Sequence, residues 1–168
     1  MHSKEMLERA IDMASLGHFG QRDKSDAPYI LHVLRVMLRG KTYQEMIVGV
    51  LHDIVEDTSA TINEIEMRFG KEIAEAVDCI THRPLERNDD YIQRVMTDPL
   101  ARQVKIYDLE DNISHERMKE LDNLTKERLL QKYIKALRVL KGEPEPGTTS
   151  TGDANAARIV ANRLEGRR

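Results

Sequence analysis

The sequence of 168 residues contains a single cysteine, Cys79, so no internal disulfide can form. It lies in "AVDCITH", among apolar residues, and reads as a small core side chain. No apolar run approaches the length of a bilayer span, and "MHSKEMLERA" lacks the apolar stretch of a signal peptide. Lys and Arg number 26 against 29 Asp and Glu, so there is no basic excess to favour a nucleic-acid backbone. No segment alternates polar and apolar residues for long enough to make a strand, and no internal repeat occurs. The expectation is a cytoplasmic protein with neither nucleic-acid nor membrane partners, its oligomeric state left open.

What is present has helical spacing. Met6, Leu7, Ala10, Ile11 and Ala14 form one apolar stripe. Pro28 suits the first turn of a helix lined by Ile30, Leu31, Leu34, Met37 and Leu38 and stopped at Gly40. Thr42 and Glu45 have capping-box spacing and open a helix through "EMIVGVLHDIV"; Thr61 and Glu64 open another, closed by Gly70. "EIAEAVDCIT" is amphipathic, Asn88 or Asp89 can cap "DYIQRVM", and Asp98-Pro99 starts "LARQVKIYDLEDNI". A long helix over Thr125–Lys141 ends at Gly142. The fold expected is all-α, a single compact multi-helix bundle over 1–142. Residues 143–168, which begin with "EPEPGTTSTGD", read as a linker and a short C-terminal helix or flexible tail.

"LHDIVEDT" places His52, Asp53, Glu56 and Asp57 at the end of a helix that is otherwise apolar. On a continuous helix His52 stacks under Glu56 and Asp53 under Asp57. Three acids and an imidazole suit that place only if something positive sits among them, and a divalent metal is the economical candidate. His32 in "PYILH" and Asp108 in "KIYDLEDN" are also polar where the pattern expects burial. A lone histidine on an apolar face is more often a satisfied core residue, but here three separate helices each offer a ligand-type side chain. Two neutral imidazoles and two carboxylates balance a divalent charge and leave positions for water and a phosphate oxygen. Mixed N/O ligands without thiolate suit Mn, Fe, Co, Ni or Zn better than Mg.

In chain order, "HFGQRDKSDAPYILH", "LHDIVEDT", "FGKEIAEAVDCIT" and "VKIYDLEDN" resemble the metal-dependent HD phosphohydrolase superfamily. More closely they resemble the (p)ppGpp hydrolase domain of RelA/SpoT-type enzymes and their small stand-alone relatives, over residues 4–140. The resemblance implies one Mn²⁺ held by His32, His52, Asp53 and Asp108, with Glu56 and Asp57 as the catalytic acidic pair. The implied reaction is removal of the 3′-pyrophosphate of guanosine tetraphosphate, a small-molecule nucleotide. It implies nucleotide contacts from Lys24, Asn112 and Tyr133. Arg83 and Arg87 flank "THRPLER" within reach of phosphates, and Lys105 has the spacing to face the site. The chain departs from the family at Asp23, where arginine is frequent, with Arg22 one position earlier. That departure leaves open a phosphohydrolase of another nucleotide or phosphate ester. A non-catalytic nucleotide sensor is the alternative outside enzymes.

Overall fold

Local capping chemistry sets most helix starts. Thr42 Oγ1 accepts the Glu45 N–H at 3.1 Å and Thr61 Oγ1 the Glu64 N–H at 3.3 Å. Asp98 Oδ1 accepts the Ala101 N–H at 2.7 Å ahead of Pro99, and Asp122 Oδ1 the Thr125 N–H at 3.0 Å. Each satisfies a donor that the first helical turn leaves open, and contributes about 1 kcal/mol. At the far end Gly142, at φ 69°, closes the last helix in the left-handed conformation.

In this computed structural model residues 3–144 are described, the Glu116 side chain excepted. They form α1 (Ser3–Gly17), α2 (Ile30–Leu38), α3 (Tyr43–Leu51), α4 (Ile54–Asp57) and α5 (Ile62–Phe69). Then follow α6 (Lys71–Ile80), α7 (Asn88–Val95), α8 (Pro99–Asn112), α9 (His115–Met118) and α10 (Asn123–Lys141). Among the described residues there is no strand, only one isolated bridge between Arg22 and Pro28. No helix among them is long and apolar enough to cross a membrane. The linker and tail expected over 143–168 lie, beyond position 144, outside the described residues.

Helix α3 is the centre, with Ile47, Val48, Val50 and Leu51 each 1% exposed or less. It packs against α1, α2 and α8, while α10 covers α8 and α7. Burying each such side chain stabilises the fold by roughly 1.5–3 kcal/mol. Gly49 lets α2 and α3 close together: a Cβ there would lie 3.1 Å from the Met37 Cα.

Three expectations need correction. The helix through "EMIVGVLHDIV" is not continuous: α3 stops at Leu51, and Asp53 has φ −105° and ψ −1° before α4 begins. The Gly49 carbonyl, which an unbroken helix would pair with the Asp53 N–H, accepts the His52 Nδ1–H at 2.7 Å. The stacking of His52 under Glu56 within one helix therefore does not hold. Pro28 lies before α2 rather than in its first turn, because its backbone pairs with Arg22 in the loop. The cap expected at Asn88 or Asp89 does not form: α7 already includes Asn88, and Arg87 before it makes no side-chain cap bond.

Candidate metal and substrate site

The break after α3 aims His52 and Asp53 inward. His32 comes from α2 and Asp108 from α8, and His32, His52 and Asp108 are 1%, 1% and 3% exposed. His32, His52 and Asp53 each offer a ligand atom, a ring nitrogen or a carboxylate oxygen, within 4.8 Å of the other two. Asp53 Oδ2 is 2.9 Å from His52 Nε2 and 3.8 Å from His32 Nε2. Asp108 Oδ1 is 3.1 Å from His32 Nε2 and 3.6 Å from His52 Nε2.

The outer nitrogens of the two rings decide what the inner ones present. His32 Nδ1 bonds Asp111 Oδ2 at 2.7 Å, and His52 Nδ1 bonds the Gly49 carbonyl at 2.7 Å. Both acceptors require Nδ1–H, so in the neutral rings both Nε2 atoms turn lone pairs toward carboxylate oxygens. His52 Nε2 is buried without a hydrogen-bond partner of acceptable geometry. Lone pairs facing carboxylates need a positive charge between them. In a bare cluster that charge is a proton, and His52 is pushed up to about 10. Burial alone would lower it, but Asp53 and Asp108 outweigh burial. The donor set fits a divalent cation equally well: His32, His52 and Asp53 form one group, and Asp108 Oδ1 lies within 3.6 Å of both rings.

Neighbouring groups fix the carboxylates. Tyr29 donates its hydroxyl to Asp53 Oδ2 at 2.5 Å. Lys105 Nζ lies 2.7 Å from Asp108 Oδ2, and Asn112 Nδ2 donates to Asp108 Oδ1 at 2.6 Å. Burial would raise Asp108, yet Lys105 and the imidazoles hold it well below the usual carboxylate range. Burial would likewise lower Lys105, yet Asp108 and other neighbouring charges hold it well above the usual lysine range.

Glu56 and Asp57 stand beside the cluster in different states. Glu56 Oε2 accepts the His82 N–H at 2.9 Å, tying α4 to the loop after α6. Among the described residues no hydrogen bond or ion pair engages the Asp57 carboxylate. Burial first, then the charges of Asp53 and Glu56, push its pKa up.

His32, Asp53 and Asp108 line a cavity of about 700 Å³, within the roughly 300–1,000 Å³ common for small-molecule sites. Lys24, Lys105, Asn112 and Tyr133 line it. Arg83 and Arg87 are not among its lining residues. Arg83 pairs with Asp78 at 3.1 Å, and Arg94, bonded to Glu86 and to α6 carbonyls, holds that loop. Sequence reasoning missed Tyr29, Asp111, Arg117 and Lys132. Tyr29 carried a signal, three residues before His32. Arg117 carried none: its Nη1 donates to Asp23 Oδ2 at 3.0 Å, its Nη2 to Asn112 Oδ1 at 2.9 Å, and its Cζ lies 5.7 Å from the Tyr29 ring centroid. Lys132 lines the same cavity; burial, then the charges of Lys105 and Lys24, lower its pKa.

The helical bundle thus brings His32, His52, Asp53 and Asp108 together at a polar cavity. No family model matches the chain. It is 32% identical over 124 residues to the guanosine-3′,5′-bis(diphosphate) 3′-pyrophosphohydrolase of Aquifex aeolicus, covering 67% of this chain and 18% of the relative. It is 37% identical over 79 residues to the bifunctional (p)ppGpp synthase/hydrolase SpoT of Escherichia coli, covering 45% of this chain and 11% of that protein. The chain thus spans less than a fifth of these relatives. Its fold matches a solved structure, described as a metazoan ortholog of SpoT that hydrolyses ppGpp. The match has TM-score 0.69 and 23% identity and covers 96% of each chain. The chain is thus similar, over part of their length, to proteins named as (p)ppGpp hydrolases, and it shares the fold of the metazoan structure.

Proposed function

We propose that the protein is a metal-dependent phosphohydrolase that removes the 3′-pyrophosphate from guanosine 3′,5′-bis(diphosphate). One observation carries this reading: two imidazole lone pairs and two fixed carboxylates meet beside Asp57 in a cavity that Lys24, Arg117 and Lys132 also line. His32, His52, Asp53 and Asp108 would hold the ion, and Mn²⁺ suits their mixed nitrogen and oxygen donors. When bound, the ion lowers the pKa of water and draws charge from a phosphoryl oxygen. Asp57 takes the proton of the attacking water, and Glu56 holds the His82 backbone at the rim. Lys24 and Lys132, which both line the cavity, neutralise phosphate charge, and Tyr29 keeps Asp53 oriented. A nucleotide substrate and a single buried free cysteine support a cytoplasmic setting.

A second reading keeps the metal and changes the base. Asp23 is bound to Arg117, so α9 places a guanidinium at the cavity beside Arg22 of the loop. The deciding experiment incubates the protein and Mn²⁺ with guanosine tetraphosphate and a panel of other nucleotides, scoring which phosphate leaves. Pyrophosphate from the 3′ position is the expected product. Turnover of another nucleotide alone moves the assignment to that substrate, and binding without release from any of them identifies a sensor.

A further inference from the structure

Asp111 is 2% exposed on α8, and the metal assignment gives it no task. Its carboxylate has two kinds of partner. Oδ2 accepts from His32 Nδ1 at 2.7 Å. Arg35, on α2, grips both oxygens: Nε donates to Oδ1 at 2.8 Å and Nη2 to Oδ2 at 3.0 Å. Burying a carboxylate is costly, and these bonds offset the cost while holding the group ionised. Burial would raise the Asp111 pKa, but the His32 bond and Arg35 lower it.

The contrast with the other ring is informative. His52 is backed by a neutral carbonyl, whereas His32 is backed by a carboxylate fixed in orientation by a guanidinium. A carboxylate accepting Nδ1–H makes the opposite nitrogen a stronger donor and keeps its lone pair aimed inward. Glu110, the neighbouring residue on α8, is a control within the same helix. It pairs with Arg39 at 2.9 Å and Lys141 at 3.0 Å and has no bond to the cluster.

We propose that Asp111 is a positioning residue for the cation: held by Arg35, it fixes His32 as the Nδ1–H tautomer and so sets how tightly the four-residue cluster binds a divalent metal. This rests on the reading of that cluster as a metal site, and it concerns affinity for the ion rather than turnover.

The test titrates the full chain with Mn²⁺ alone and reads the free ion by electron paramagnetic resonance. The variants are Asp111→Ala, Asp111→Asn and Glu110→Gln. Asp111→Ala should raise the Kd for Mn²⁺ by about 10- to 100-fold. Asp111→Asn should recover part of that loss, because a carboxamide oxygen still accepts the Nδ1–H. Glu110→Gln should leave the Kd unchanged. Wild-type affinity in Asp111→Ala overturns the proposal. If that variant does not fold, the wild type loaded with Zn²⁺ decides by ¹⁵N–¹H correlation of the imidazoles. A proton on His32 Nδ1 with Nε2 ligated supports the role; the opposite tautomer overturns it. Wild type that takes up no Mn²⁺ at all would instead remove the metal site itself, a distinct failure.

Discussion

Arg117 donates to Asp23 at 3.0 Å across 94 positions of sequence, joining the short α9 to the loop before α2. The same guanidinium reaches Asn112, which bonds Asp108, and it lies over Tyr29, which bonds Asp53. One side chain thus links the loop at the cavity mouth to both aspartates of the cluster. The pair is 14% and 6% exposed at its side chains, dry enough for the charges to matter.

Arg117→Gln should therefore act on substrate binding. The expected result is KM raised about tenfold, near 1.4 kcal/mol, with a smaller change in kcat. Asp23→Asn should give a similar rise. The double variant should cost less than the sum, because each single change already breaks the pair. Steady-state kinetics of pyrophosphate release on the four proteins measure the coupling. Additive effects would show that the two residues act separately.

Asp57→Asn should lower kcat by about 10²- to 10⁴-fold, the usual contribution of a positioned base, and leave Mn²⁺ affinity intact. Single-turnover rates and a parallel metal titration separate the two quantities. Release that survives the change would take Asp57 out of the reaction.

Mn²⁺ should stabilise the fold. An ion at a hundred times its Kd adds about 2.7 kcal/mol, worth roughly 5–10 °C in Tm for a chain of this size. His32→Ala or Asp108→Ala should abolish the shift in a melting experiment with and without the metal. An equal shift in the variants would place the binding elsewhere.

Glu86 provides a pH-dependent stability. The Arg94 guanidinium bonds it at 2.6 Å and 2.9 Å, and that contact holds Glu86 down at about 2 against an ordinary 4.5. A depressed carboxyl pKa stabilises the fold above the unfolded-state value and loses that contribution as pH falls from 4.5 toward 2. Glu86→Gln should cost about 1–2 kcal/mol at pH 7, allowing for partial exposure. The gap from wild type should close as the solution is acidified through that window. Urea unfolding at several pH values follows it, and a gap that widens would reverse the sign argued here.

Gly49→Ala should destabilise the protein by about 1–3 kcal/mol. The new Cβ meets the Met37 backbone at 3.1 Å rather than a flexible side chain, so α2 must move. The shift would also disturb the carbonyl that holds His52. Thermal unfolding measures the first effect and Mn²⁺ affinity the second.

Helix starts and stops at Thr42, Thr61, Asp98 and Gly142 follow from bonds made within a few residues, so the string of letters suffices to place them. His32 and Asp108 stood out for the same local reason, as polar groups on apolar faces. The break at His52 and Asp53, the backing of His32 by Asp111 79 positions away, and the arrival of Arg117 at the cavity had no such mark. Each depends on the angle and depth at which α2, α3, α8 and α9 meet. Side-chain bonds between distant segments form only after that packing is complete, and no spacing rule along the chain encodes them.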